Sequence, residues 1–141
     1  GSRPLLTRAR LLRNGSPSVA FVTGEPFVFE VEFRTDGIPE LYVSVRLCDG
    51  LGRPLLDANM RHYNQCIRDA QGLAKVRGTI ESLPLNPGRY SLTFYLGNQS
   101  YDLDVVTDCM TFDVLWNEHF DIHPPQAGWG AIHVPVSWSE S

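Results

Sequence analysis

Three short segments of this chain set polar and aromatic side chains at every second position. Tyr42, Ser44 and Arg46 alternate with Leu41, Val43, Val45 and Leu47; Ser91, Thr93 and Tyr95 alternate with Tyr90, Leu92, Phe94 and Leu96. Thr111 and Asp113 alternate in the same way with Phe112 and Val114. An extended backbone sends successive side chains to opposite faces, so each segment has one apolar side and one side able to bind. Aromatic faces cover the apolar C–H side of a pyranose ring. Hydroxyls, carboxylates and the planar fork of Arg exchange hydrogen bonds with ring hydroxyls. Asp57, Asn59 and Arg61 extend the set if Arg53 to Met60 joins the same sheet edge. Polar alternation is also what any solvated sheet face shows, and Tyr and Thr are good strand formers, so both readings stand.

The second group with ligand character is His119-Phe120-Asp121-Ile122-His123, followed later by His133. Two histidines four apart share a metal when they ride one helix face. Here Pro124-Pro125 follows at once, no HExxH glutamate is present, and nothing nearby is helical in period. In an extended strand the pair would stand ~13 Å apart, too far for one zinc. Glu30 and Glu32 share a face, which strand alternation explains. No Ser/His/Asp or Cys/His arrangement in a strand–turn context appears, and no GxxxxGK[ST] loop. The expectation is no catalytic residue, no metal and no cofactor; a small metal-dependent enzyme is the weakest reading.

The elements that must position these groups are strands. Thr7 to Arg13 reads as an edge strand before the turn-rich Asn14-Gly15-Ser16-Pro17. Phe27 to Arg34 and Leu41 to Cys48 alternate strongly; Asp49 to Gly52 is a turn, and Arg53 to Met60 a shorter strand. Residues 61 to 74 are polar and irregular. Val76 to Leu83, Tyr90 to Leu96 and Met110 to Trp116 follow, with a loop at Asn98-Gln99-Ser100. Strands at roughly 8–12-residue spacing read as an all-β, immunoglobulin-like antiparallel sandwich. Pro87-Gly88 suits a type II turn with positive φ at Gly88, and Tyr90 just after it is placed as a corner tyrosine. The segments at 41–48, 89–96 and 109–115 should be neighbours, with 89–96 in the centre. Residues 3–116 form the sandwich. Asn117 to Gly128 is a connector, and Ala131 to Trp138 alternates again, with Ile132, Val134, Val136 and Trp138 on one face. That terminal strand must fold back on its own sheet or pair with a partner. Trp116 and Trp129 flank the connector, either to stack on a sugar or, the favoured reading, to anchor an exchange of the terminal strand.

A chain of 141 residues buries roughly 68% of its unfolded surface and needs neither disulfide nor metal. Cys48, Cys66 and Cys109 are odd in number and lack CxxC spacing, which suits free thiols in a reducing compartment. The net charge of −4, with Lys75 the one lysine among 12 basic residues and no basic run, argues against nucleic acid. No apolar run approaches the ~20 residues of a membrane helix. Gly1-Ser2 reads as a cloning scar, and the chain as a domain cut from a larger protein.

Several motifs in order and spacing resemble one family. They are Gly24-Glu25-Pro26 before Phe27 to Phe33, Leu47-Cys48-Asp49-Gly50 with Gly52, and Gly78-Thr79-Ile80 leading to Leu83-Pro84-Leu85. Pro87-Gly88-Arg89-Tyr90, Asp108 to Val114 and the terminal strand ending in Trp138 complete the set. Over nearly its whole length the chain resembles the C-terminal carbohydrate-binding domain of the ATPase subunit of O-antigen ABC exporters, the Wzt type. The resemblance implies a non-catalytic module that dimerises by exchanging the C-terminal strand (the connector and strand spanning 117–141). It implies recognition of the lipid-linked O-antigen polysaccharide before export, contact with the transporter's membrane subunit in the full protein, and a cytoplasmic position peripheral at the inner membrane. The ATPase would lie N-terminal to this module. Tyr42, Ser44, Arg46, Ser91, Thr93, Tyr95, Thr111 and Asp113 are then the expected carbohydrate-binding residues. An immunoglobulin-like protein–protein interaction module is the alternative.

Overall fold

Among the described residues ten strands form two facing sheets. The computed structural model describes residues 4–68, 72–120, 122–126 and 128–140; Gly1-Ser2, Asp121 and Ser141 lie outside the described residues. The strands are β1 (Leu6–Arg13), β2 (Ser16–Pro17), β3 (Ala20–Val22), β4 (Phe27–Arg34), β5 (Glu40–Cys48), β6 (Pro54–Asn59), β7 (Ile67–Arg68), β8 (Leu73–Ile80), β9 (Gly88–Gly97) and β10 (Asp102–Leu115). The smaller sheet has the order β2-β1-β4-β8. The larger has β3-β10-β9-β5-β6, with β7 paired to β5. All pairings are antiparallel except β3 with β10, which run parallel. The fold is the expected immunoglobulin-like sandwich.

Alternation explains the core. Phe27, Phe29, Val31 and Phe33 of β4 face Val43, Val45 and Leu47 of β5 and Leu92, Phe94 and Leu96 of β9, all buried. Phe21, Phe27 and Phe112 form one aromatic contact, with Phe21 and Phe27 centroids 4.6 Å apart. Each such side chain contributes roughly 1.5–3 kcal/mol by leaving water. Tyr90 stacks on Phe112, and its hydroxyl donates to the Asn86 carbonyl at 2.5 Å, closing the corner expected of it. Asn14 and Gly15 both have positive φ, the two-residue turn that suits the twist of a hairpin between β1 and β2.

Some boundaries differ from the sequence reading. Gly88 does not take positive φ; it is extended and opens β9, packed beside the Tyr90 hydroxyl. β8 begins and ends three residues earlier than expected. Leu83 and Leu85 then leave the ladder and plug the core end, with Leu83 exchanging backbone hydrogen bonds with Gly24 and Glu25. β10 starts at Asp102 rather than Met110, because a register shift between Val106 and Met110 interrupts the alternation that would reveal it. Residues 61–74 hold the end of a 3-10 turn (Met60–Tyr63) and β7. Ala131 to Trp138 forms one isolated bridge, Leu85 with Ile132, and no ladder; Val134, Val136 and Trp138 are exposed.

On the outer face of the smaller sheet, Glu30 is only 4% exposed yet carries a charge. Arg77 and Arg10 donate to its two oxygens at 2.7 and 2.6 Å, and Lys75 lies 3.3 Å away. The Arg77 hydrogen bonds, helped by Arg10 and Lys75, outweigh burial and hold the carboxyl down at about 2 rather than 4.5. A depressed carboxyl stabilises the fold above its unfolded value and loses that effect as the pH falls through its folded one. The urea midpoint should therefore fall between pH 4.5 and 2 more steeply in the wild type than in Glu30→Gln. Equal slopes would show that Glu30 is not the group being linked.

Candidate functional site

The register of the larger sheet brings the expected residues onto one outer face, with β9 central. Asn59, Ser44, Tyr95 and Val105 form one cross-strand row; Asp57, Arg46 and Thr93 form the next. Cys48, Ser91 and Thr111 follow, and Arg89 pairs with Asp113 at the end. Arg53 to Met60 does join this edge, as β6, so Asp57 and Asn59 extend the face.

The residues are not equally accessible. Tyr42, Ser44, Ser91 and Thr93 are 9, 4, 9 and 4% exposed, although they point away from the core. Their neighbours cover them, and Ser44, Ser91 and Thr93 each find a polar partner. Ser44 donates to Asp57 at 2.9 Å, Ser91 donates to Asp108 at 3.1 Å, and the Asp108 backbone N–H donates to Thr93 Oγ1 at 3.1 Å. The guanidinium of Arg61 lies 5.6 Å from the centre of the Tyr42 ring and is fixed by donating to the Asn98 carbonyl. These four therefore build the floor of the face. Arg46, Tyr95, Thr111 and Asp113 reach its surface.

At that surface the Arg46 guanidinium sits 5.0 Å over the Tyr95 ring, a cation–π contact that holds both planes in place. Arg89 donates to Asp113 at 3.0 Å. The guanidinium holds the Asp113 carboxyl below the ordinary range, and the carboxylate raises Arg89 in return. A cleft of about 280 Å³ continues the face past Asp108, Thr111 and Arg89 to Asp49 and Gly52. Asp49 is ionised well below the usual range because the Arg53 backbone N–H, then its side chain and the Leu51 N–H, all donate to it. The sequence reading did not include Arg89, Asp108 or Asp49. Arg89 carried the signal, since it alternates in phase with Ser91. Asp108 did not, because its position is created by the register shift and its φ of 47°.

Among the described residues no group of three His, Cys, Asp or Glu side chains converges. His133 stacks on Phe120, 5.6 Å between centroids, and meets the edge of Trp116, which ties the end of the connector to the sandwich. Trp129 is 71% exposed. All three cysteines are free, with Cys48 buried and its thiol pushed up by that burial.

Two facing sheets with a parallel edge strand and a corner tyrosine define an immunoglobulin-like sandwich domain. The chain matches the Wzt C-terminal domain family over residues 5–132, and it belongs to that family, the C-terminal domains of O-antigen ABC transporters. The crystal structure of the C-terminal domain of Wzt superposes with a TM-score of 0.78 over 99% of this chain and 86% of that one. Their sequences are 15% identical, so the likeness shows the fold. The soluble domain of PmoD from Methylocystis sp. is similar over 81% of this chain and 99% of that one, at 12% identity and a TM-score of 0.41, too loose to carry an argument. No curated protein matches the chain.

The floor is open to test through Asp108. Asp108→Ala removes the acceptor of Ser91 and leaves a Cβ residue at positive φ, so about 1–2 kcal/mol of stability should be lost. Asp108→Gly removes the acceptor alone and should lose less; equal losses in chemical denaturation would mean that the turn stores no strain.

Proposed function

We propose that this domain is a non-catalytic glycan-binding module that recognises the O-antigen polysaccharide for export by an ABC transporter. The observation that carries the reading is the outer face of the larger sheet in a chain of this family. There a guanidinium is fixed over a tyrosine ring on a floor in which Ser44, Ser91 and Thr93 each hold a hydrogen bond. A ring stacked on Tyr95 meets Arg46, and further units of an extended polymer running along the strand reach Thr111 and Asp113; side chains already restrained lower the ordering cost of binding. Tyr42, Ser44, Ser91 and Thr93 act from beneath, by keeping those groups in position. A shallow face suits an extended polymer, and selection is a difference in affinity between correct and incorrect chains.

Single-site affinity is weak, because each sugar hydroxyl trades water for protein at little net gain. Two copies joined by exchange of the C-terminal strand would offer two faces to one polymer and recover affinity through effective concentration. The exposed, alternating Val134, Val136 and Trp138, with almost no partner in their own chain, support the exchange. In this reading 3–116 is the sandwich and 117–141 the connector and exchanged strand. The domain works on the cytoplasmic side of the inner membrane, with an ATPase preceding it and the transporter's membrane subunit as a partner. No cofactor, metal or nucleic acid takes part. The alternative, an immunoglobulin-like protein-interaction module, predicts no response to any polysaccharide.

Titration with O-polysaccharide from its own source and from unrelated strains, followed by amide NMR shifts, tests the reading. Shifts at Arg46, Tyr95, Thr111 and Asp113 with the cognate chain alone are expected, and Arg46→Ala should weaken binding roughly tenfold. Silence at millimolar sugar would sink the glycan reading. Deleting residues 131–141 should convert a dimer into a monomer or an aggregate; an unchanged dimer mass would refute the exchange.

A further inference from the structure

β8 ends the smaller sheet. It pairs with β4 on one side, and among the described residues no backbone group bonds to its other side. Its exposure alternates without a break from Leu73 to Ile80. The register aligns Arg8, Glu32 and Lys75 across three strands, and Arg10, Glu30 and Arg77 beside them. Each row reads cation, carboxylate, cation. Both carboxylates lie in the middle column, and both rows end at the open edge on a cation, Lys75 and Arg77 being 51 and 59% exposed. A chain with 16 acidic against 12 basic residues thus gathers four cations around two carboxylates here.

The other side of the same strand is apolar. Between β8 and β6 a cleft of about 350 Å³ opens into the sandwich, walled by Phe29, Val43, Val45, Met60, Val76 and Ile80. Gly78 makes room for it, since a Cβ there would lie 2.0 Å from the Phe29 ring, which crosses beneath β8 to reach the cleft. One strand edge therefore presents unpaired backbone groups, cations on its outer side and an apolar slot on its inner side.

We propose that the β8 edge is a docking site for an extended segment of a partner protein in which carboxylate and apolar residues alternate. The segment adds a strand to the smaller sheet, as edge strands accept one. Neighbouring strands lie about 5 Å apart, so its carboxylates fall beside Lys75 and Arg77 and extend each row to cation, carboxylate, cation, carboxylate. Its alternate side chains enter the cleft. The chain's own tail fits poorly: His133, Pro135 and Ser137 separate its apolar residues, with no carboxylate before Glu140, and Pro135 lacks a donor. A lipid surface fits poorly as well, since Glu32 is 37% exposed among the cations and repels phosphate. An edge lysine that merely blocks aggregation explains one charge and leaves the cleft unexplained.

The probe is a fluorescent octapeptide of alternating glutamate and leucine, read by anisotropy and by amide shifts of the whole chain. Binding should shift Leu73–Ile80 and the cleft residues, weaken about fivefold in Lys75→Glu, and fall in Ala58→Phe, since Ala58 lines the β6 side of the cleft and the larger ring narrows it without changing charge. An unchanged amide spectrum elsewhere verifies each variant's fold. A serine–leucine peptide should bind at least several-fold more weakly. Absence of binding, equal binding of the two peptides, or shifts confined to another edge would overturn the proposal. So would tighter peptide binding after removal of residues 131–141, because a second copy's tail would then be the occupant of β8.

Discussion

β9 is closed on both of its faces, and the larger sheet is arranged around that constraint. Leu92, Phe94 and Leu96 pack into the core while Ser91 and Thr93, on the opposite side, are as hidden as many core residues. A buried hydroxyl without a partner costs roughly 1–3 kcal/mol, so the outer side of the strand must be covered by groups that bond to it. β10 supplies them by departing from regular pairing at Asp108, whose backbone N–H and carboxylate reach Thr93 and Ser91. β6 does the same for Ser44 through Asp57. The irregularity in β10 and the presence of β6 at the edge are both answers to one buried strand.

That arrangement decides what the outer face offers. A solvated sheet would present eight mobile polar side chains; this one hides four and restrains Arg46, Tyr95 and Asp113. Arg46 and Tyr95 restrain each other, and Arg89 and Asp113 do likewise. The smaller sheet uses charge in a different way, gathering Arg10, Lys75 and Arg77 around Glu30 so that a carboxylate sits without loss in a nearly dry position. The two outer faces thus have unlike chemistry, one of hydroxyls and stacked planes, the other of ordered charge.

The strands with unbroken alternation were legible in the residues: Phe27 to Arg34 matches β4, and the order of 41–48, 89–96 and 109–115 was right because sandwich topology leaves few choices. β3 was not legible, since three residues carry no period. The first half of β10 was hidden by its own register shift. The composition of the candidate face was also readable, but its depth was not. Alternation says which way Ser91 and Thr93 point, and says nothing of what lies above them.

The parallel pairing of β3 with β10 joins Ala20 to Asp113 and Val22 to Leu115. The smaller sheet, by contrast, is complete within residues 6–80. The pairing of β3 with β10 closes the longest stretch of any strand pairing in the two sheets, and topology of this kind slows folding. A ribosome making this chain releases β10 last, so the edge held by β3 stays open while the rest assembles. The pairing of β3 therefore waits on the same strand that brings Thr111 and Asp113 to the candidate face.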